Sequence, residues 1–347
     1  MKLTRKLVAA AATAVVGLAA GSAQAVVSAN NPANWVLNPG AFGGAFDGVA
    51  KLLFSNAGGN FVCSGSLLQG GQYVLTAAHC ADDYVSMTAD FKLGAVTRSV
   101  VESHVLPGWA GFNNSAGNGS DIAILKLNAP VAGVNGFKLS GANDMGKNIL
   151  AAGYGLVGTG LTGGTGFDRP NSTTWRPHYG YNTIDATDKQ LQDALFGAGS
   201  GSNQYGETYV FDFDDGNPLH NALQRLKGAF GGAWADSSLG LGDNEALIAG
   251  GDSGGGDFYF DGTDWLLTGV HSYGWGVCGQ VFANCDVLPG TNSSFGDLSG
   301  STAVFSHVDW INGYLAAAVP EPETYALMLA GLAALGWVSR RRATLSN

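Results

Sequence analysis

Glycine interrupts this chain so often that long helices have little room. There are 54 glycines in 347 residues, about twice the ordinary ~7%. Glycine costs a helix interior about 1 kcal/mol relative to alanine, yet it opens tight turns to the backbone. Between the glycines lie short runs rich in Val, Leu, Phe and Thr. Residues 49–54, 65–68 and 73–76 read as strands parted by Asn-Ala-Gly-Gly-Asn and Gln-Gly-Gly turns. Residues 121–127 read as a largely buried strand, and 257–260 and 265–270 as a hairpin around the turn at 261–264. Helical signals are scarce. Thr187-x-x-Gln190 has the form of a capping box ahead of Leu191 and Leu195, with a stop at Gly197. A second helical segment covers 309–318. No repeat of 20–50 residues is visible, which argues against a propeller or solenoid. The pattern predicts an all-β barrel architecture with a short C-terminal helix.

Both ends carry targeting patterns. Lys2, Arg5 and Lys6 precede a short apolar run, and Ala23-Gln24-Ala25 has the small-x-small form of a cleavage site, so residues 1–25 read as a signal peptide. The mature chain would begin Val26-Val27. At the other end Pro320-Glu321-Pro322 is followed by apolar residues 325–338 and then Arg340-Arg341-Arg342. The apolar part is short for a membrane span, which takes about 20 residues, and the arginines would hold it on the cytoplasmic side. This order resembles the PEP-CTERM sorting signal of Gram-negative bacteria. The resemblance implies a short transmembrane segment, transient membrane association, and an exosortase-type machinery that removes the tail on the way to the cell surface or extracellular matrix. The expected organisation is a signal peptide (1–25), one catalytic domain (26–318) and a sorting segment (319–347).

Charge narrows the partners. Without the two signals the chain keeps 11 basic and 25 acidic side chains, a balance of −14. Such a surface disfavours nucleic acid, whose phosphates need a basic patch, and suits an exported protein. Four cysteines with an export signal predict disulfides. Three pairings are open, of which the local ones, Cys63 with Cys80 and Cys278 with Cys285, are simplest. No Cys-x-x-Cys pair or His-x-x-x-His favours a metal, and no cofactor is expected.

Three segments carry chemistry: Leu75-Thr76-Ala77-Ala78-His79-Cys80, the strand opening at Asp121, and Gly251-Asp252-Ser253-Gly254-Gly255. A hydroxyl becomes a competent nucleophile when a base takes its proton during attack. Histidine titrates near neutral pH and suits that task. A buried carboxylate on its far nitrogen fixes the tautomer and stabilises the imidazolium. The candidates are therefore Ser253 as nucleophile, His79 as base and Asp121 as orienting carboxylate. An oxyanion needs two N–H donors aimed at one point, for which Gly251 and Ser253 are the candidates.

Thr-Ala-Ala-His-Cys, Asp-Ile-Ala and Gly-Asp-Ser-Gly-Gly, in this order, resemble the chymotrypsin/trypsin family of serine proteases, from about residue 49 to 310. The resemblance implies two six-stranded antiparallel β-barrels with the triad between them, a protein or peptide substrate, and a Cys63–Cys80 bridge. Ser272-Tyr273-Gly274 resembles the family's substrate strand, giving Ser272 and Gly274 as substrate-binding candidates. Leu247, six residues before the nucleophile, falls at the pocket floor and implies an apolar or small side chain in the substrate. A catalytically idle surface or matrix binding protein on the same fold is the competing reading.

The chain also departs from the pattern. In the family a freed N-terminal amine pairs with the aspartate before the nucleophile, here Asp252. Residues 38–44 lack the usual start sequence, and Val26 stands too early in the chain, so activity without zymogen cleavage is expected. Gly256 replaces a usual proline. No cysteine precedes Gly251, leaving Cys285 as the partner of Cys278. Residues 156–241 add length and read as loop-rich. His104, His178, His220 and His307 lack catalytic context, His271 adjoins the substrate strand, and the acidic run 212–217 does not fit an EF-hand loop.

Overall fold

The computed structural model describes residues 26–115, 117–171, 174–277, 281–317, 329–332 and 335. The signal peptide, the Pro-Glu-Pro motif and most of the apolar tail fall outside them. Among the described residues no helix is long and apolar enough to cross a membrane.

A first strand, β1 (Val27–Ser28), precedes a closed barrel of β2 (Val49–Asn56), β3 (Gly59–Leu67), β4 (Tyr73–Thr76), β5 (Ser86–Phe91), β6 (Val96–Val105) and β7 (Ala123–Leu127). A short helix, α1 (Phe112–Ser115), lies between β6 and β7. The barrel order is β2-β3-β4-β7-β6-β5, closed by antiparallel pairing of β2 with β5. Closure leaves no unpaired edge. β5 alternates between inward and outward residues, with Met87, Ala89 and Phe91 buried, the period expected of a strand with one wet face. Lys51 and Asp90, directly opposite in β2 and β5, form a 2.9 Å ion pair.

The second half holds β8 (Lys138–Leu139), β9 (Asn148–Gly153), β10 (Leu156–Thr159), β11 (Gly163–Phe167), β12 (His178–Thr183), β13 (Ala186–Thr187), β14 (Thr208–Asp212), β15 (Ala246–Leu247), β16 (Gly256–Phe260), β17 (Trp265–Trp275) and β18 (Leu298–Ala303). Its main sheet runs β12-β9-β16-β17-β18-β14-β13, with β8 added along β17. A smaller sheet runs β11-β10-β1-β15. The two-barrel plan is thus present with one refinement: the first barrel is closed, and the second half is an open sheet of eight strands.

Residues 156–241 are more ordered than their glycine content suggests. They supply β10–β14 and two helices, α2 (Asp188–Phe196) and α3 (Ala222–Phe230). The capping box at α2 is present in both directions, Thr187 accepting from the Gln190 N–H and Gln190 from the Thr187 N–H. The helix stops at Gly197. Leu191 and Leu195 of α2 join Leu223 and Leu226 of α3 in a buried cluster with Trp234 and Leu298. Each such side chain contributes about 1.5–3 kcal/mol on burial, enough to hold two short helices that propensity alone would not. A last helix, α4 (Val308–Ala317), falls where a C-terminal helix is expected.

The chain start is the main correction. Val26 and Val27 are buried, and Val27 lies opposite Leu247 in β15, five residues before Asp252. Val26 is therefore not too early. The extra length before β2 is taken up in 3₁₀ turns at Pro32–Trp35 and Ala41–Gly44, so residues 38–44 form turns instead of a buried start.

Cys63 on β3 is bonded to Cys80 with Cα atoms 6.3 Å apart. Cys285 is also disulfide-bonded, and its expected partner Cys278 lies outside the described residues. The Cys63–Cys80 loop spans 17 residues, so replacing both cysteines with alanine is expected to lower the unfolding free energy by about 3 kcal/mol. Urea unfolding of the two proteins measures this directly.

Candidate active site

Strand pairing brings His79 and Asp121 together. β4 lies antiparallel to β7 with Thr76 opposite Ala123. The chain leaving β4 turns at once through Ala78–Cys80, while the chain entering β7 arrives through Asp121. Both residues therefore sit at the same end of neighbouring strands, although 42 positions separate them in sequence. The Cys63–Cys80 bridge pins the turn from β3.

Asp121 is 1% exposed and collects three donors. The His79 backbone N–H reaches Oδ1 at 3.0 Å, the His79 Nδ1 lies 2.8 Å from Oδ2, and the Ser272 hydroxyl donates to Oδ2 at 2.6 Å. A second-half hydroxyl, that of Thr302, donates to the Asp121 carbonyl at 3.0 Å. Burial by itself would lower the His79 pKa. The charge and hydrogen bond of Asp121 outweigh it, with a smaller push from Asp82, and hold the pKa above its ordinary 6.5. Asp82 also accepts from the Trp109 indole N–H. The Phe112 ring packs edge-on against His79, centroids 5.2 Å apart.

Ser253 lies on the turn between β15 and β16, half-buried. Its carbonyl accepts from the Ser64 N–H at 2.8 Å and comes within 3.6 Å of Cys80 Sγ, beside the His79 turn. The Ser64 hydroxyl donates to the Gly251 carbonyl at 2.8 Å. The first barrel thus grips the turn on both sides of Asp252. Gly251 and Gly254 have φ of 93° and 78°, a region open mainly to glycine. A Cβ on Gly254 would also fall 1.9 Å from Thr76 Oγ1. Among the described residues neither the Gly251 nor the Ser253 N–H is paired with an acceptor.

The remaining candidates fall into place differently. Ser272 supports Asp121 from behind, while Gly274, two residues on, is exposed at the surface of β17. Leu247 is fully buried in a cluster with Val27, Phe211 and Phe213. Asp252 is buried, and its carboxylate accepts from the Ala249 and Gly155 N–H groups at 3.1 and 3.2 Å. Desolvation pushes its pKa up to about 7. His271 is fully buried and closed to substrate; it faces Asp257. His178 binds Asp168, His220 lies 2.9 Å from Asp215, His104 lies 3.4 Å from Glu102, and burial lowers His307 to about 4. In the acidic run, Asp212 accepts from the Leu223 N–H near the start of α3, and burial lifts Asp214 to about 10. Cys63, Cys80 and His79 cluster within 4.8 Å, but both sulfurs are taken by the disulfide.

Ser64, Ser272 as a support of Asp121, Trp109, Phe112 and the His271–Asp257 contact were not legible as site residues. Only Ser272 carried a signal, through its place in Ser-Tyr-Gly.

A family model described as Trypsin matches residues 41–284, and one described as the PEP-CTERM protein-sorting motif matches residues 318–342. No curated protein matches in sequence. A solved structure of HL collagenase shares the fold at a TM-score of 0.50 and 18% identity, over 81% of this chain and 97% of that one.

Asp121→Asn removes the charge that opposes desolvation at His79. The His79 pKa is then expected to fall below 6.5, read from imidazole shifts in an NMR pH titration; an unmoved value would separate the two groups electrostatically.

Proposed function

The chain belongs to the trypsin family, and we propose that it is an exported serine endopeptidase with His79, Asp121 and Ser253 as its triad. The observation that carries this reading is the buried Asp121 carboxylate, 2.8 Å from His79 Nδ1, with the next residue of the His79 turn, Cys80, 3.6 Å from the Ser253 carbonyl. Asp121 holds a proton on Nδ1 and leaves Nε2 as the base. Ser253 Oγ attacks the peptide carbonyl while His79 takes its proton, and the Gly251 and Ser253 N–H groups receive the oxyanion. His79 returns the proton to the leaving amine, and water repeats the sequence on the acyl-enzyme. Because the base form of His79 is required and its pKa is raised, activity rises with pH along a limb centred above 6.5.

Leu247, among Val27, Phe211 and Phe213, is assigned as an apolar pocket floor, with Ser272 and Gly274 on the substrate strand. The Glu245 carboxylate is turned to the Asp214 and Leu241 N–H groups, and burial lifts its pKa to about 8 in spite of them. The substrate side chain is therefore apolar or small. The N-terminal signal pattern and the sorting motif at 318–342 support export, with exosortase-type processing and transient membrane attachment through the tail.

Activity needs no cut near residue 40. Continuing the β1–β15 register puts Val26 opposite Ile248, next to Ala249, whose N–H binds Asp252. Signal removal after Ala25 frees an amine at that point, where it can pair with Asp252 as in the family.

Purified exported protein should cleave a diverse peptide mixture at apolar or small residues, read by mass spectrometry, with Ser253→Ala slower by about 10⁵–10⁶. No difference from the alanine control would favour the idle binding protein. A protein retaining residues before Val26 should be at least about tenfold less active, since the competent turn is then a minor population. Equal activity would remove the Val26 amine from the mechanism.

A further inference from the structure

A second histidine–carboxylate pair lies under the nucleophile turn, and the triad does not use it. His271 on β17 and Asp257 on β16 are both 0% exposed. His271 Nε2 is 2.9 Å from Asp257 Oδ1, and Nδ1 is 3.2 Å from the Asp252 carbonyl oxygen. Both partners can only accept when the carboxylate is ionised. A neutral imidazole has one donor and one acceptor nitrogen, so only the doubly protonated ring satisfies both contacts.

The backbone of His271 grips the same turn. Its carbonyl accepts from the Gly254 N–H at 2.8 Å, and its N–H donates to the Gly255 carbonyl at 2.9 Å. With the Nδ1 contact to Asp252, three bonds hold the residues on either side of Ser253. An unpaired charge at this depth would be costly. With an ionised carboxylate, the two contacts therefore take the imidazolium as its partner.

We propose that His271 and Asp257 act as a buried positioning pair, whose imidazolium–carboxylate state fixes the 252–255 turn and so aims Ser253 and the oxyanion donors. This rests on the protease reading of that turn. Burial would lower the His271 pKa, but the charge and hydrogen bond of Asp257, followed by the charge of Asp252, raise it above 6.5. The clamp is complete below about 6.5 and is lost as pH rises through the raised folded value. Asp257 from β16 and Asp252 from the turn are the titratable groups facing the ring. Ser301, opposite on β18, does not titrate, and Tyr209 of β14 feels the charge of Asp257.

The test uses the exported protein and Asp257→Asn. In the wild type, ¹⁵N NMR should show His271 with protons on both ring nitrogens at neutral pH, and slow exchange of the Gly254 and Gly255 amides. In Asp257→Asn the second proton should leave at lower pH and those amides should exchange faster. Turnover should fall about ten- to hundredfold with KM little changed. The alkaline limb should move to lower pH while the acid limb, set by His79, stays. A wild-type His271 that is neutral across about pH 6–8 overturns the proposal without any variant. So does a folded Asp257→Asn protein with the wild-type alkaline limb and amide exchange. If neither protein hydrolyses any peptide, the protease reading fails, and the NMR measurements still decide the charge state of the pair.

Discussion

One buried carboxylate joins the two halves of this molecule. Asp121 enters from β7 of the closed barrel and accepts from His79 at the end of β4 and from Ser272 on β17 of the open sheet. A carboxylate at 1% exposure is tolerated only when its lone pairs are met by donors. Those donors come from parts of the chain 42 and 151 residues away. The barrel and the sheet must therefore both be in place before those oxygens find their donors. The two His79 bonds hold its ring against the carboxylate.

The Ser253 turn is held in the same two-sided manner. Ser64 in β3 meets it through a backbone N–H and a hydroxyl, while β17 meets it through the backbone and ring of His271. A turn with two left-handed glycines has little rigidity of its own. Its geometry comes from its neighbours, one from each half. This is why the Ser253 turn and the His79–Asp121 pair sit where the two halves meet.

The open second sheet and the enlarged 156–241 region belong together. β12, β13 and β14 extend the sheet at its ends, and α2 and α3 bury their leucines against one another beside it. The Thr187–Gln190 capping box makes α2 legible in the sequence because it is local. α3 was missed because its flanks are rich in Gly and Asp, and its cap, Asn221, stands in a run that reads as loop. Its stability comes from Leu223 and Leu226 meeting α2, a contact no local window contains.

The sequence by itself determined the three candidate residue types, their order, the glycines of the Ser253 turn, the β-rich fold and the sorting pattern at the end. Each of these is local, a matter of side-chain chemistry or backbone freedom within a few residues. The tertiary structure alone decided what depends on distant pairings. It put Val26 and Val27 against β15 instead of leaving them too early in the chain, because two turns absorb the intervening residues. It assigned Ser272 to Asp121, and it closed one barrel while leaving the other sheet open. It also buried His271 against Asp257 beneath the Ser253 turn. That pair lies 14 residues apart in sequence, and only the register of β16 on β17 makes it a contact.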